Sequence, residues 1–179
     1  AEREIRAFVR GWTARDDRLA ALSYGATFAV YVLTLWLAVA SWPNGWLVAP
    51  LVVLNAFAGV RLYVLQHDCG HGSLFSTKRR NDLAGHGLSV FTLTPYRVMQ
   101  SNHNDHHSHL GNLDERDTTE IHTMTLREWQ AAGVWRRLWY RLYRHPLILI
   151  PIGGLFTYVL AYRWPKNAAR VDPRGVILH

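Results

Sequence analysis

Five histidines fall in two short stretches, "HDCGH" at His67–His71 and "HNDHH" at His103–His107. Residues four apart on a helix share a face, and residues three apart nearly do. By that rule His67 pairs with His71, and His103 groups with His106 and His107. Each cluster can aim its imidazoles at a common point, as a metal ion requires. Imidazole suits zinc, copper, iron or nickel, so spacing alone leaves the metal open. A lone buried histidine is usually structural and held by one hydrogen bond, but two tight clusters are harder to explain that way. "HDCGH" also lies close to H-E-x-x-H, the zinc-protease pattern. In that role Asp68 would replace the glutamate base with a shorter arm, Gly70 would weaken the helix, and His103, His106 and His107 would have no task.

Helices of unusual composition surround these clusters. From Leu19 to Ala40 the chain carries no charged residue, and the block Trp46–Gln66 has only Arg61, near its end. Each block matches the ~20 residues needed to cross a bilayer's hydrocarbon core. Between them lies the uncharged turn "SWPNG", with Trp42 and Trp46 where an interfacial aromatic belt would place them. Two buried core helices of a soluble protein are the plainer reading, but consecutive charge-poor spans of bilayer length argue against it. Arginines precede the first span, and Lys78, Arg79 and Arg80 follow the second, so both ends are expected on the cytoplasmic side. His67 then falls at the cytoplasmic mouth of the second span.

The expected fold class is an all-α membrane protein: a transmembrane helical hairpin, then a cytosolic histidine-bearing helical region and interfacial helices. We divide the chain into a basic cytoplasmic segment (1–18), two transmembrane helices (19–66), the histidine region (67–123), an amphipathic interfacial helix (124–145) and a short re-entrant or in-plane apolar segment with the chain end (146–179). All are parts of one domain. The helix over 124–145 is expected to open on a capping box of Thr125 and Glu128. It sets Trp135, Leu138, Trp139, Leu142 and Tyr143 at helical spacing, with Arg136, Arg137, Arg141 and Arg144 mostly turned away. A helix that binds a protein partner is the alternative there. The net charge of +7 comes almost wholly from arginine. No nucleic-acid-binding pattern accompanies it, and the arginines flank apolar blocks, so no nucleic-acid partner is expected. The single cysteine, Cys69, excludes an internal disulfide.

"HDCGHGSLF", "NDLAGHGL" and "SNHNDHHSHLGNLD" together resemble the amino-terminal part of the membrane-bound fatty acid desaturases, most closely the bacterial and plastid acyl-lipid type. The stretch "RHPLILIPIGGLFTYVLAYRWP" is similar to the segment that follows the second histidine box in that family. The resemblance implies two non-haem irons held by histidine boxes, with dioxygen and two electrons used to place a double bond in an acyl-lipid chain. It assigns His67, His71, His103, His106 and His107 as ligands. His86 is a further ligand candidate, though a hydrogen-bonding role is the commoner use of such a residue. Asp68, Asn102, Asn104 and Asp105 are candidates for fixing imidazole tautomers, with a solvated polar residue at a helix end as the alternative for each. His109 reads as polar surface and Cys69 as a packing residue; Asn112 and Asp114 match the tail of the second box. The implied electron donor is a ferredoxin or a small b-type cytochrome, which the basic face could dock, although membrane topology and attraction to anionic lipid are the plainer reason for that charge.

The family's third histidine box is missing: His109, His122, His145 and His179 form no such cluster. The chain is therefore expected to be a piece of a longer enzyme and inactive alone. Related membrane hydroxylases or ketolases, and a non-catalytic metal-binding remnant, are the alternatives.

Overall fold

A computed structural model of the chain describes residues 2–10, 13–114 and 121–159. Among these every regular element is helical, as the all-α expectation requires. The chain divides into two compact units, Ala1–Thr92 and Leu93–His179.

The first unit holds α1 (Glu2–Arg10), α2 (Asp17–Ala40), α3 (Gly45–Gly70) and α4 (Lys78–Thr92). Asp16 starts α2, its Oδ1 accepting from the amides of Arg18 and Leu19 at 2.8 and 3.2 Å. Both long helices are apolar and long enough to cross a membrane. Large apolar residues are exposed around them, including Val30, Leu33 and Trp36 on α2 and Leu54, Phe57 and Val60 on α3. A helix apolar on all sides with those side chains uncovered suits lipid rather than water.

Polar contacts join the two long helices. Asn55 donates to the Tyr31 carbonyl at 2.7 Å and to the Thr34 hydroxyl at 3.0 Å, and Arg61 donates to Ser23 at 3.2 Å. Leu62 and Leu65 of α3 pack on Leu88 of α4, with Tyr24, Phe28 and Tyr31 of α2 and Leu74 around them. Phe28 meets Phe91 edge to face at 4.8 Å. Asp17 closes the unit by pairing with Arg80 and accepting from the Ser76 amide and hydroxyl at 2.7 and 2.6 Å.

In the second unit α5 (Tyr96–His109), α6 (Leu126–Ala131), α7 (Val134–Tyr143) and α8 (Pro146–Ile148) precede a π-helical turn, Leu149–Gly153, and α9 (Gly154–Val159). The capping box at Thr125 and Glu128 is present with both of its hydrogen bonds. The single helix expected over 124–145 is instead cut in two. Ala132 and Gly133 take extended backbone, where glycine's poor helix propensity lowers the cost of a break. Arg137 then folds back and donates to the carbonyls of Trp129 and Gln130 at 2.9 and 2.8 Å, satisfying acceptors left at the end of α6. Arg137 and Arg141 also stand over the Trp129 ring, at 5.5 and 5.1 Å. These two arginines are thus stacked on an aromatic face instead of simply turned away. Trp135, Leu138, Trp139 and Leu142 are exposed.

The π turn has a local cause. Pro151 has no amide hydrogen to donate and its ring would crowd the preceding turn, and widening the helix by one residue makes room for the ring. The apolar segment from Pro146 is described to Val159; its last residues, Lys166, His179 and residues 115–120 of the histidine region lie outside the described residues.

Candidate metal centre

His67 lies in the last turn of α3 and His71 is its C-cap. Gly72 follows at φ +65, a left-handed conformation that glycine adopts without strain. The amide of Gly72 donates to the Cys69 carbonyl and that of Ser73 to the Asp68 carbonyl, both at 2.9 Å. This is the Schellman pattern, and it ends the helix immediately after the second histidine. "HDCGHGS" therefore encodes a ligand pair and the stop that holds it. The Nε2 atoms of His67 and His71 stand 3.3 Å apart. Asp68 Oδ1 sits 3.5 Å from His67 Nδ1, on the ring's other nitrogen. Cys69 is buried, as a packing residue should be.

In the second unit α5 carries its histidines in its last turns. His103 and His107 face each other with Nε2 atoms 2.9 Å apart. His106 stands beside them, its ring 6.1 Å from that of His103 and 5.8 Å from that of His107. His109 is half-buried and turned to its own helix, with Nδ1 2.9 Å from the Asp105 carbonyl. Among the proposed supporting residues Asn102 is buried, Asp105 half-buried and Asn104 exposed. His86 is half-buried in the middle of α4.

The nitrogen separations test whether these residues fit a metal. An imidazole nitrogen binds an ion such as zinc at about 2.0–2.1 Å. Two ligands at that distance lie about 2.8–3.0 Å apart at a right angle and about 3.3–3.4 Å apart at the tetrahedral angle. The observed 3.3 and 2.9 Å fall in this range. Without metal, the same approach is an N–H···N hydrogen bond between complementary tautomers. Both clusters also lie at helix C-termini, where the helix dipole favours positive charge. The all-imidazole donors of each cluster, taken by itself, fit a transition-metal ion.

Residues 44–178 match the family model for fatty acid desaturase. The chain belongs to the fatty acid desaturase family. Among curated relatives, a "Fatty acid desaturase" of Bacillus subtilis is 38% identical over 69% of the chain and 35% of the relative. The "Omega-3 fatty acid desaturase, chloroplastic" of Glycine max is 28% identical over 95% of the chain and 36% of the relative. A Nostoc protein, "sn-1 acyl-lipid omega-3 desaturase (ferredoxin)", is 28% identical over 74% of the chain and 33% of the relative. The chain thus spans about a third of the length of each of these desaturases. No solved structure matches it.

The first unit of this desaturase-family chain also holds buried polar residues that helical spacing does not single out. Gln66, Asn81, Ser89 and Thr92 are buried in or beside apolar helices and bonded to one another or to loop backbone. Their sequence signal is faint: Gly85, Ser89 and Thr92 recur at a helical interval, and Gln66 is a polar residue at the end of an apolar block.

Proposed function

We propose that this chain supplies the amino-terminal histidine boxes of an acyl-lipid desaturase, an oxygen-dependent enzyme that places a double bond in the acyl chain of a membrane lipid. His67, His71, His103, His106 and His107 serve as ligands to a two-iron centre that is incomplete within this chain, with His86 as a further candidate. Asp68, Asn102, Asn104 and Asp105 support them. The observation that carries this reading is the pairing of imidazole nitrogens at 3.3 and 2.9 Å in a chain of this family.

Bound iron would supply the dioxygen activation that an unactivated C–H bond demands and that side chains alone do not provide. Oxidising two adjacent methylenes with dioxygen reduced to two waters consumes two further electrons and two protons. A ferredoxin-type donor fits the name of the Nostoc relative, and a small b-type cytochrome would supply the same electrons. The chain's own residues have narrower tasks. The Schellman turn at Gly72 fixes where His71 ends the helix, and Asp68 stands on the Nδ1 side of His67, leaving Nε2 for a metal. With the histidines on the cytoplasmic side, the centre lies within reach of a soluble donor while the acyl chain comes from the bilayer.

The test loads the purified chain anaerobically with iron(II) and counts bound metal. His67→Ala/His71→Ala and His103→Ala/His107→Ala are expected to lose most of it, and His109→Ala to retain it. Iron binding indifferent to both double substitutions would overturn the metal assignment. Lipid analysis of cells expressing the uninterrupted reading frame then reads the reaction. New double bonds are expected, and new hydroxyl groups would favour a hydroxylase.

A further inference from the structure

Gln66 immediately precedes His67, and none of its surface is exposed. Its Nε2 donates to the Gly85 carbonyl and the Ser89 hydroxyl, each at 3.2 Å. Its Oε1 accepts from the Thr92 hydroxyl at 2.8 Å. One amide thereby grips three successive positions on one face of α4. Burying an amide among apolar neighbours is costly unless its polar atoms are bonded, and here both the nitrogen and the oxygen are.

This clasp differs in kind from the packing beside it. Leu62, Leu65 and Leu88 meet through non-directional contacts that tolerate small rotations of one helix against another. Hydrogen bonds to fixed acceptors do not. Since neighbouring residues on a helix are about 100° apart, holding Gln66 against α4 also fixes the direction of His67 and of His71 one turn on. We propose that Gln66 is a positioning residue for the His67–His71 pair, an inference that rests on the metal-centre reading above. Its role is to set the azimuth of α3's last turn through Ser89, Thr92 and Gly85.

The clasp also shows which substitution separates positioning from folding. The Ser89 hydroxyl lies 3.3 Å from the Gly85 carbonyl and that of Thr92 lies 3.1 Å from the Leu88 carbonyl. Both retain a partner on their own helix if the amide is lost. Gln66→Met keeps a side chain of similar length in an apolar site and strands neither hydroxyl.

The experiment uses the intact chain in detergent micelles with cobalt(II) as probe, whose visible bands report ligand geometry. Gln66→Met is expected to keep the helicity and melting midpoint of the parent, bind cobalt about 10-fold or more weakly, and show shifted bands. A purely structural role would move the midpoint and leave the band shape. His67→Ala/His71→Ala is run in parallel. If it loses cobalt signal while Gln66→Met matches the parent in affinity and bands, positioning is overturned and the metal reading stands. If it binds as the parent does, the assignment of His67 and His71 as ligands falls and this inference with it. Should Gln66→Met lose helicity, Ser89→Ala/Thr92→Val removes two hydroxyl partners of the amide, keeps its bond to Gly85 and is expected to give the same shift. A parent-like spectrum from that folded variant would overturn the proposal.

Discussion

Asn81 closes on Phe75 with both ends of its side-chain amide. Oδ1 accepts from the Phe75 amide at 3.0 Å, and Nδ2 donates to the Phe75 carbonyl at 2.8 Å. Nδ2 also donates to the Thr77 carbonyl at 2.9 Å, so one buried side chain pins the loop that follows the first histidine pair. This gives a reason for an asparagine at the start of "NDLAGHG".

Asn81→Ala leaves loop backbone groups without partners in a covered site. The expected loss is about 1–3 kcal/mol of stability, with faster hydrogen exchange at the Phe75 amide. Thermal melting in detergent and exchange mass spectrometry read the two effects. Unchanged protection at Phe75 would show that the clamp is not what orders this loop.

Gly72 tests the helix stop. A Cβ added there would meet nothing within 4 Å, so the cost of substitution is conformational and not steric crowding. At φ +65, Gly72→Ala is expected to cost about 1–2 kcal/mol. Gly72→Asn should cost less, because asparagine tolerates that backbone region better. Melting midpoints should therefore rank glycine, asparagine, alanine. An alanine variant as stable as the parent would contradict the left-handed turn.

At Gly87 two effects oppose each other. Alanine in place of a helical glycine is worth up to about 1 kcal/mol, yet the new Cβ would stand 3.2 Å from the Tyr24 hydroxyl. That hydroxyl donates to the Ala84 carbonyl at 3.3 Å. Gly87→Ala alone is expected to be close to neutral. In a Tyr24→Phe background, where the crowding oxygen is gone, the same change should stabilise by up to about 1 kcal/mol. A double-mutant cycle measured by melting checks this. Equal effects of Gly87→Ala in the two backgrounds would mean that Tyr24 and Gly87 do not touch.

Features governed by local periodicity were legible in the chain itself. The pairing of His67 with His71 and of His103 with His107 follows from the helical repeat, which depends on backbone geometry alone. The two long apolar helices follow from the length of their charge-poor runs, and the Thr125–Glu128 cap from contacts within one turn. Tertiary structure decided much of the rest. Whether Gln66 is a solvated helix end or a buried clasp depends on which face of α4 it meets, and that face comes from 19 to 26 residues away. The division of the 124–145 helix into α6 and α7 is local, at Gly133 and with Arg137 returning to carbonyls seven and eight residues before it, but apolar periodicity does not register either feature. Backbone repeat sets which side chains of one helix lie together. Only the packing of helix on helix sets what lies opposite them, because that depends on contacts between residues distant in the chain.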